Sequence, residues 1–263
     1  MLYSGFYHEL LEQSGGAWFD FEGLIRDIYV SVLTPGSWAI DAGAHHGDHT
    51  FQMAQAVAPN GRVLAIEAVP SLVEGLRKTS RKFYPHLAKI IELHCCGVSD
   101  SERREVFYFA PDVPGLSGLR KRDVLTGHPL KEIKVPVKTL DRICAHAAGR
   151  FRFLKIDIEG GEYHALLGAT GTIGRDKPVI VFEHNATSPS DFNYSMEQML
   201  ATWSALHYNI YDFFGNPYDR AEAWDGSMVW NFLAIPRSYP AAEHIFEVVR
   251  STLARAGIVY RPR

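Results

Sequence analysis

Apolar residues along this chain recur at two spacings. Within residues 16–33 (GAWFDFEGLIRDIYVSVL), Phe21, Leu24, Ile25, Ile28 and Val32 fall at helical spacing, and Pro35-Gly36 ends the segment. A short apolar run at 37–41 (SWAID) then closes on an acid and is followed by a glycine-bearing turn and a helix at 50–58. Pro59-Asn60-Gly61 is a turn, and 62–67 (RVLAIE) is a second apolar run ending in an acid. A strand, a helix and a strand are thus made within about 30 residues.

The rhythm continues with a helix at 71–83, a strand at 89–95, a hairpin strand at 104–109, a strand at 132–137 and a helix at 139–147. Residues 152–157 (RFLKID) and 178–183 (PVIVFE) are again apolar runs closing on acids, followed by helices at 162–168 and 196–206. Two late runs, 208–214 and 229–235, predict strands joined only by a loop, and a helix at 242–256 closes the chain. Strands and helices alternating at these lengths predict an α/β fold with a mostly parallel sheet covered on both faces, and the last two strands predict an antiparallel edge. No internal repeat or low-complexity linker divides the chain. Residues 110–131, rich in Gly, Pro and Ser, predict a mobile loop.

Composition narrows the classes. A hydrophobic fraction of 46%, with 12% aromatic, supplies a large core. Against 27 Lys and Arg stand 30 Asp and Glu, so the basic footprint of a nucleic-acid partner is lacking. Cys95 and Cys96 are adjacent and Cys144 stands alone, a usage that suits reduced thiols. The first thirty residues interleave charges with apolar residues and contain no signal-peptide core, and no apolar run approaches the roughly 18 residues of a spanning helix. The expectation is a cytoplasmic protein with no membrane partner.

Four predicted strands end in an acid: Asp41, Glu67, Asp157 and Glu183. Ligands of open parallel sheets bind beyond those strand ends. After the first comes IDAGAHHGDHT, residues 40–50. A dinucleotide fingerprint needs G-x-G-x-x-G, whereas here the glycines are Gly43 and Gly47, which argues against NAD or FAD. An acid ahead of such a turn suits a ligand that presents an ammonium and hydroxyls, as S-adenosylmethionine (SAM) does, and Glu67 suits the two ribose hydroxyls. The same stretch also has a metal-like look. His46, Asp48 and His49 match the second half of the H-x-H-x-D-H pattern of metal-dependent hydrolases, but Ala44 stands where the first histidine belongs. His45 and His49 also read simply as polar residues at a turn and a helix start.

The stretches Ile40–Gly47, IEAVP at 66–70 and FLKIDIEGGE at 153–162 together resemble the FkbM-type SAM-dependent methyltransferases. The resemblance runs from about Leu33 to Glu183 and is closest at 154–162; His45-His46 and Ala68-Val69-Pro70 depart from the family pattern. It implies a Rossmann-like class I methyltransferase fold with a seven-stranded sheet; the chain itself reads as one domain over 1–263 with a helical cap at 1–35. The resemblance implies methyl transfer, foremost to a hydroxyl of a small metabolite, natural product or sugar. A small-molecule acceptor is the implied partner, and a second copy of the chain is the other partner the reading allows. A catalytically silent SAM-fold binding protein is the alternative from another class.

In that resemblance Asp41, Gly43, Ala44 and Gly47 shape the loop around the methionine part, with Thr50 capping the next helix. Glu67, followed by Ala68, holds the ribose, and Cys96-Gly97-Val98 lies beside the adenine. If the chain stays extended, strand alternation puts Lys155, Asp157 and Glu159 on one side. Asp157 then orients the SAM ammonium or the acceptor hydroxyl, while Lys155 equally suits a structural ion pair. For the general base the order is His184, then Glu159. Asp157, Glu183 and His184 are an alternative divalent-cation set, although no metal is predicted. The 110–131 loop is expected to close over the acceptor, and Phe213-Phe214-Gly215-Asn216 to line an apolar acceptor site.

Overall fold

The computed structural model describes residues 20–147, 151–224 and 229–258. Of the expected 1–35 cap, residues 1–19 lie outside that range, and helix α1 (Phe21–Val32) follows, its first turn closed by the Asp20 carboxylate accepting from the Gly23 N–H at 2.8 Å. Strand β1 (Trp38–Ala42), helix α2 (Asp48–Val57), strand β2 (Arg62–Glu67), helix α3 (Pro70–Phe83) and strand β3 (Ile91–Cys95) make the first half of the sheet.

Two short strands, β4 (Gly97–Val98) and β5 (Arg103–Phe109), precede β6 (Lys131–Lys138). Helix α4 (Leu140–Cys144), strand β7 (Phe151–Ile156), helices α5 (Glu162–Leu167) and α6 (Thr170–Asp176) and strand β8 (Val179–Glu183) follow. The chain then runs through α7 (Ser188–Phe192), α8 (Met196–Ala205), β9 (Tyr208–Asp212), β10 (Asn231–Pro236) and α9 (Ala242–Arg255).

Seven strands form one sheet in the order β3-β2-β1-β7-β8-β10-β9. Pairing is parallel from β3 through β8, and β10 runs antiparallel to both β8 and β9. The antiparallel edge is as expected from the sequence. Strands β1, β2, β7 and β8 are buried along almost their whole length because helices cover both faces, which is why they read as continuous apolar runs rather than alternating ones. The chain builds outward from β1 to β3 and then returns to place β7 on the other side of β1. That reversal opens a crevice at the carboxyl ends of β1 and β7.

The hairpin strand finds a different neighbour from the one its position suggested. β3 joins the main sheet beside β2, whereas β5 pairs antiparallel with β6 from Arg103↔Val137 to Phe109↔Lys131, and β4 joins β6 in a separate three-stranded sheet. The segment between β5 and β6 is tied to the body. The Ala110 N–H donates to Ser117 Oγ at 3.0 Å, Tyr108 and Gly118 exchange backbone hydrogen bonds, and Leu119, Arg122 and Leu125 are buried. No helix among the described residues is long and apolar enough to cross a membrane.

Candidate active site

The crevice is a cavity of about 750 Å³, within the range of small-ligand sites. One wall is the turn after β1. Gly43 has φ 91°, and a Cβ there would stand 1.8 Å from the Asp157 carbonyl oxygen, so this glycine lets the β1 and β7 turns touch. The Gly43 and Ala44 N–H groups both donate to the Ile66 carbonyl, joining the turn to β2. Gly47, at φ 92°, faces Leu76 and Phe51, so its requirement is helix packing rather than ligand contact.

Asp41 is 1% exposed at the end of β1, and its carboxylate oxygens are used unequally. Oδ2 accepts from the Thr50 hydroxyl at 2.5 Å, while Oδ1 has no partner although Asp41 lines the cavity. Thr50 does not cap its helix: α2 begins at Asp48 with Gly47 as N-cap, and Thr50 sits inside the first turn, where its hydroxyl braces Asp41. At the end of β2, Glu67 accepts from the His45 N–H at 3.0 Å on one oxygen and from the Val69 N–H at 2.8 Å on the other. Burial raises its pKa against those two donors, and each oxygen keeps a lone pair for a further hydroxyl. Ala44, Ala68 and Val98 line the same cavity, as do Cys96 and Gly97.

The other wall is acidic. Lys155 is buried and donates to Asp157 Oδ2 at 2.6 Å. Burial opposes the ammonium, but the Asp157 and Asp41 charges outweigh it and hold the Lys155 pKa above its ordinary value. Asp157 is likewise pushed up by burial, yet Lys155 and a hydrogen bond with Glu183 bring it down to about 2. Glu183 bears the complement: burial and the neighbouring Asp157 charge raise it to about 11, so it is protonated at neutral pH.

β7 ends at Ile156, and Glu159 adopts φ 64°, so the expected extended alternation breaks before Glu159. The turn delivers it to the cluster by another route. Gly160 and Gly161 tighten the chain, and Glu162 accepts from the Ile158 and Gly160 N–H groups at 2.9 and 3.1 Å. Asp157, Glu159 and Glu183 then offer oxygens all within 4.8 Å of one another. Burial pushes Glu159 up to about 7, opposed by the Arg122 guanidinium that donates to it. With Lys155 and Arg122 already set against two of the three acids, the chemistry of this set suits proton traffic better than a divalent cation.

Several residues land elsewhere than the sequence suggested. His184 does not line the cavity. It is 5% exposed in an aromatic nest, its Nδ1 hydrogen-bonded with the Tyr194 hydroxyl at 3.2 Å and its ring 4.8 Å from Trp224, and burial lowers its pKa to about 4. It stands off the cavity lining and outside the acid cluster of Asp157 and Glu183, because side chains alternate across the strand end and its neighbour Glu183 takes the cavity side.

His46, Asp48 and His49 form no cage: the acid trio above is the one cluster of metal-ligating type among the described residues, and His49 Nε2 instead meets Glu22 at 2.5 Å. Phe213 and Phe214 are core residues and do not line this cavity. The sequence reading missed Glu22, Trp230 and Asn231, which line the cavity, and Arg122, which lies behind Glu159. None of these sits at a motif position, so the sequence carried no signal for them.

Comparison with known proteins finds that the model of the methyltransferase FkbM domain matches residues 41–211. "Methyltransferase 1" of Beauveria bassiana is 28% identical over 155 residues, 53% of this chain and 61% of that protein. The protein-L-isoaspartate O-methyltransferase of Methanothrix thermoacetophila is 33% identical over 86 residues, 31% of this chain and 41% of its own. The matches thus span less than two thirds of either relative. The crystal structure of methyltransferase FkbM from Methylobacillus flagellatus KT aligns with 80% of this chain and 50% of its own at 20% identity and TM-score 0.48.

Proposed function

The chain belongs to the methyltransferase FkbM domain family, and from that premise we propose that it transfers the methyl group of SAM to a hydroxyl oxygen of a small acceptor. The observation that carries this is one cavity with a ligand-ready acid on each wall: Asp41, with an unpaired buried oxygen, and Glu159, a carboxyl with a pKa near 7.

The residues present fit SAM. Asp41 Oδ1 is an unsatisfied acceptor suited to the ammonium, and Glu67 has a lone pair free on each oxygen for the ribose hydroxyls. Ala68 and the Cys96-Gly97-Val98 stretch supply a small, largely apolar wall for the adenine. SAM, when bound, supplies a methyl group on a positively charged sulfur.

The chain's own task is to align the acceptor and take its proton. Glu159 is close to half ionised at neutral pH, the best compromise between being available and being basic. Lys155 keeps Asp157 charged as a fixed acceptor for the substrate hydroxyl, and protonated Glu183 donates its one proton to Asp157, holding that carboxylate in place. A tuned base favours an oxygen acceptor, because an uncharged amine already presents its lone pair and needs no proton removed first. Calorimetric titration with S-adenosylhomocysteine (SAH) tests the reading. Binding should appear and weaken about tenfold or more in Glu67→Ala, and silence at millimolar SAH would sink it.

A further inference from the structure

A second hollow, of about 260 Å³, lies behind the cavity wall formed by Val98 and Leu119, which line both spaces. It is faced by Ser99, Ser101, Arg103, Arg120, His164 and Phe192. No step of methyl transfer uses these groups.

Their hydrogen bonding is unevenly complete. Arg103 is fully engaged, with Nε on Glu105, Nη1 on Asp100 and Ser101, and Nη2 on Ser99. The Asp100 carboxylate in the same wall is thereby neutralised. Arg120 uses only Nη1, which donates to Glu105 at 2.6 Å and to the Leu119 carbonyl at 2.8 Å. Its Nε and Nη2, the edge that grips an oxyanion through two parallel hydrogen bonds, have no protein partner among the described residues and, on a side chain 42% exposed, are open to solvent. The guanidinium is steadied 5.3 Å over the Phe192 ring, so the edge is held in place rather than swinging free. Across the hollow, His164 Nδ1 is buried and also has no partner.

A solvent-facing guanidinium edge and, in the tautomer that protonates Nδ1, a buried imidazole N–H line one hollow, and both suit a small group rich in oxygen acceptors. We propose that this hollow is a second binding site, taking a carboxylate or phosphate oxyanion on the Nε and Nη2 edge of Arg120 with His164 Nδ1 as the further partner. The charges of Arg103 and Arg120 are balanced by Asp100 and Glu105, so the site selects by hydrogen-bond geometry, and Lys at position 120 should substitute poorly. The site stands apart from the methyl-transfer reading, and its occupant is either a free anion or an anionic arm of a larger molecule.

Side-chain histidine NMR of the full chain tests it. Inorganic phosphate and acetate are titrated separately into SAH-saturated protein, with His164 assigned through His164→Gln. The expected result is a saturable shift of the His164 signals by at least one of the two anions, which also tells phosphate from carboxylate. It should weaken about tenfold in Arg120→Gln and only partly recover in Arg120→Lys. SAH binding should be unchanged in all three variants, which reports that they fold. The proposal is overturned if neither anion shifts His164 at tens of millimolar, if Arg120→Gln leaves the titration unchanged, or if the anions bind only when SAH is absent, which would place them in the main cavity.

Discussion

Arg122 donates to the Glu159 carboxylate across 37 positions of chain, and its guanidinium also donates to the Leu116 carbonyl. One buried cation therefore joins the segment between β5 and β6 to the acid proposed to take the acceptor's proton. Lys155, Asp157 and Glu183 are the other charged or titrating groups around that carboxyl. Burial raises the Glu159 pKa and Arg122 restrains the rise, so the pair sets how much carboxylate exists near neutrality.

Arg122→Gln should raise the Glu159 pKa further, by about one unit or more, and move the acid limb of activity to higher pH by the same amount. Arg122→Lys should recover most of the shift. Carbon-13 NMR titration of the glutamate carboxyls, assigned with Glu159→Gln, reads it directly. An unmoved Glu159 would show that Arg122 braces the loop without tuning the acid.

Glu183→Gln should become increasingly stabilising, relative to the unaltered protein, as pH rises. The folded pKa of Glu183, about 11, lies above the ordinary 4.5. Its contribution is therefore fully present below about 4.5 and is lost progressively as pH climbs toward 11, because only the unfolded chain ionises freely. Gln keeps the neutral form at every pH. The melting-temperature difference between variant and parent should be smallest near pH 5 and widen steadily through pH 9. A flat difference would mean that Glu183 is charged in the folded state.

His184→Ala should cost stability rather than cofactor binding. The ring fills an aromatic nest with Tyr194 and Trp224 and does not line the cavity. Removing it leaves a hole and takes one hydrogen-bond partner from the Tyr194 hydroxyl, a loss of about 2–4 kcal/mol by urea denaturation. SAH affinity should stay within about twofold. A large loss of SAH affinity in a folded variant would return His184 to the site.

Gly43→Ala should be among the most damaging small substitutions in the chain. Its Cβ would collide with the Asp157 carbonyl and its φ of 91° is poorly tolerated by any other residue. Both turns must shift, so stability should drop by about 2–4 kcal/mol and SAH binding should be lost with it. Gly75→Ala, in open space on α3, is the control and should be harmless.

What could be read from the chain alone follows a physical division. Strand and helix positions, the parallel sheet with its antiparallel edge, and the acids at four strand ends were legible because they rest on local periodicity and on where each apolar run stops. Asp41, Gly43 and Glu67 were found this way, and all three face the cavity. The metal-like histidines were legible too, but misleading: spacing along a turn does not say where side chains point, and His49 turns to Glu22 instead.

The acidic wall of the cavity was decided by tertiary structure. Sequence favours His184 over its neighbour Glu183 as the general base, and only the packed sheet sends Glu183 into the cavity and His184 into the aromatic core. Glu159 joins Asp157 because a glycine turn braced by Glu162 folds it back, not because the strand continues. Arg122 reaches it from a segment with no motif at all. Periodicity is a property of neighbouring residues and survives in the sequence. The meeting of charges from separate turns, and the burial that sets their pKa values, depends on how the whole chain closes around them.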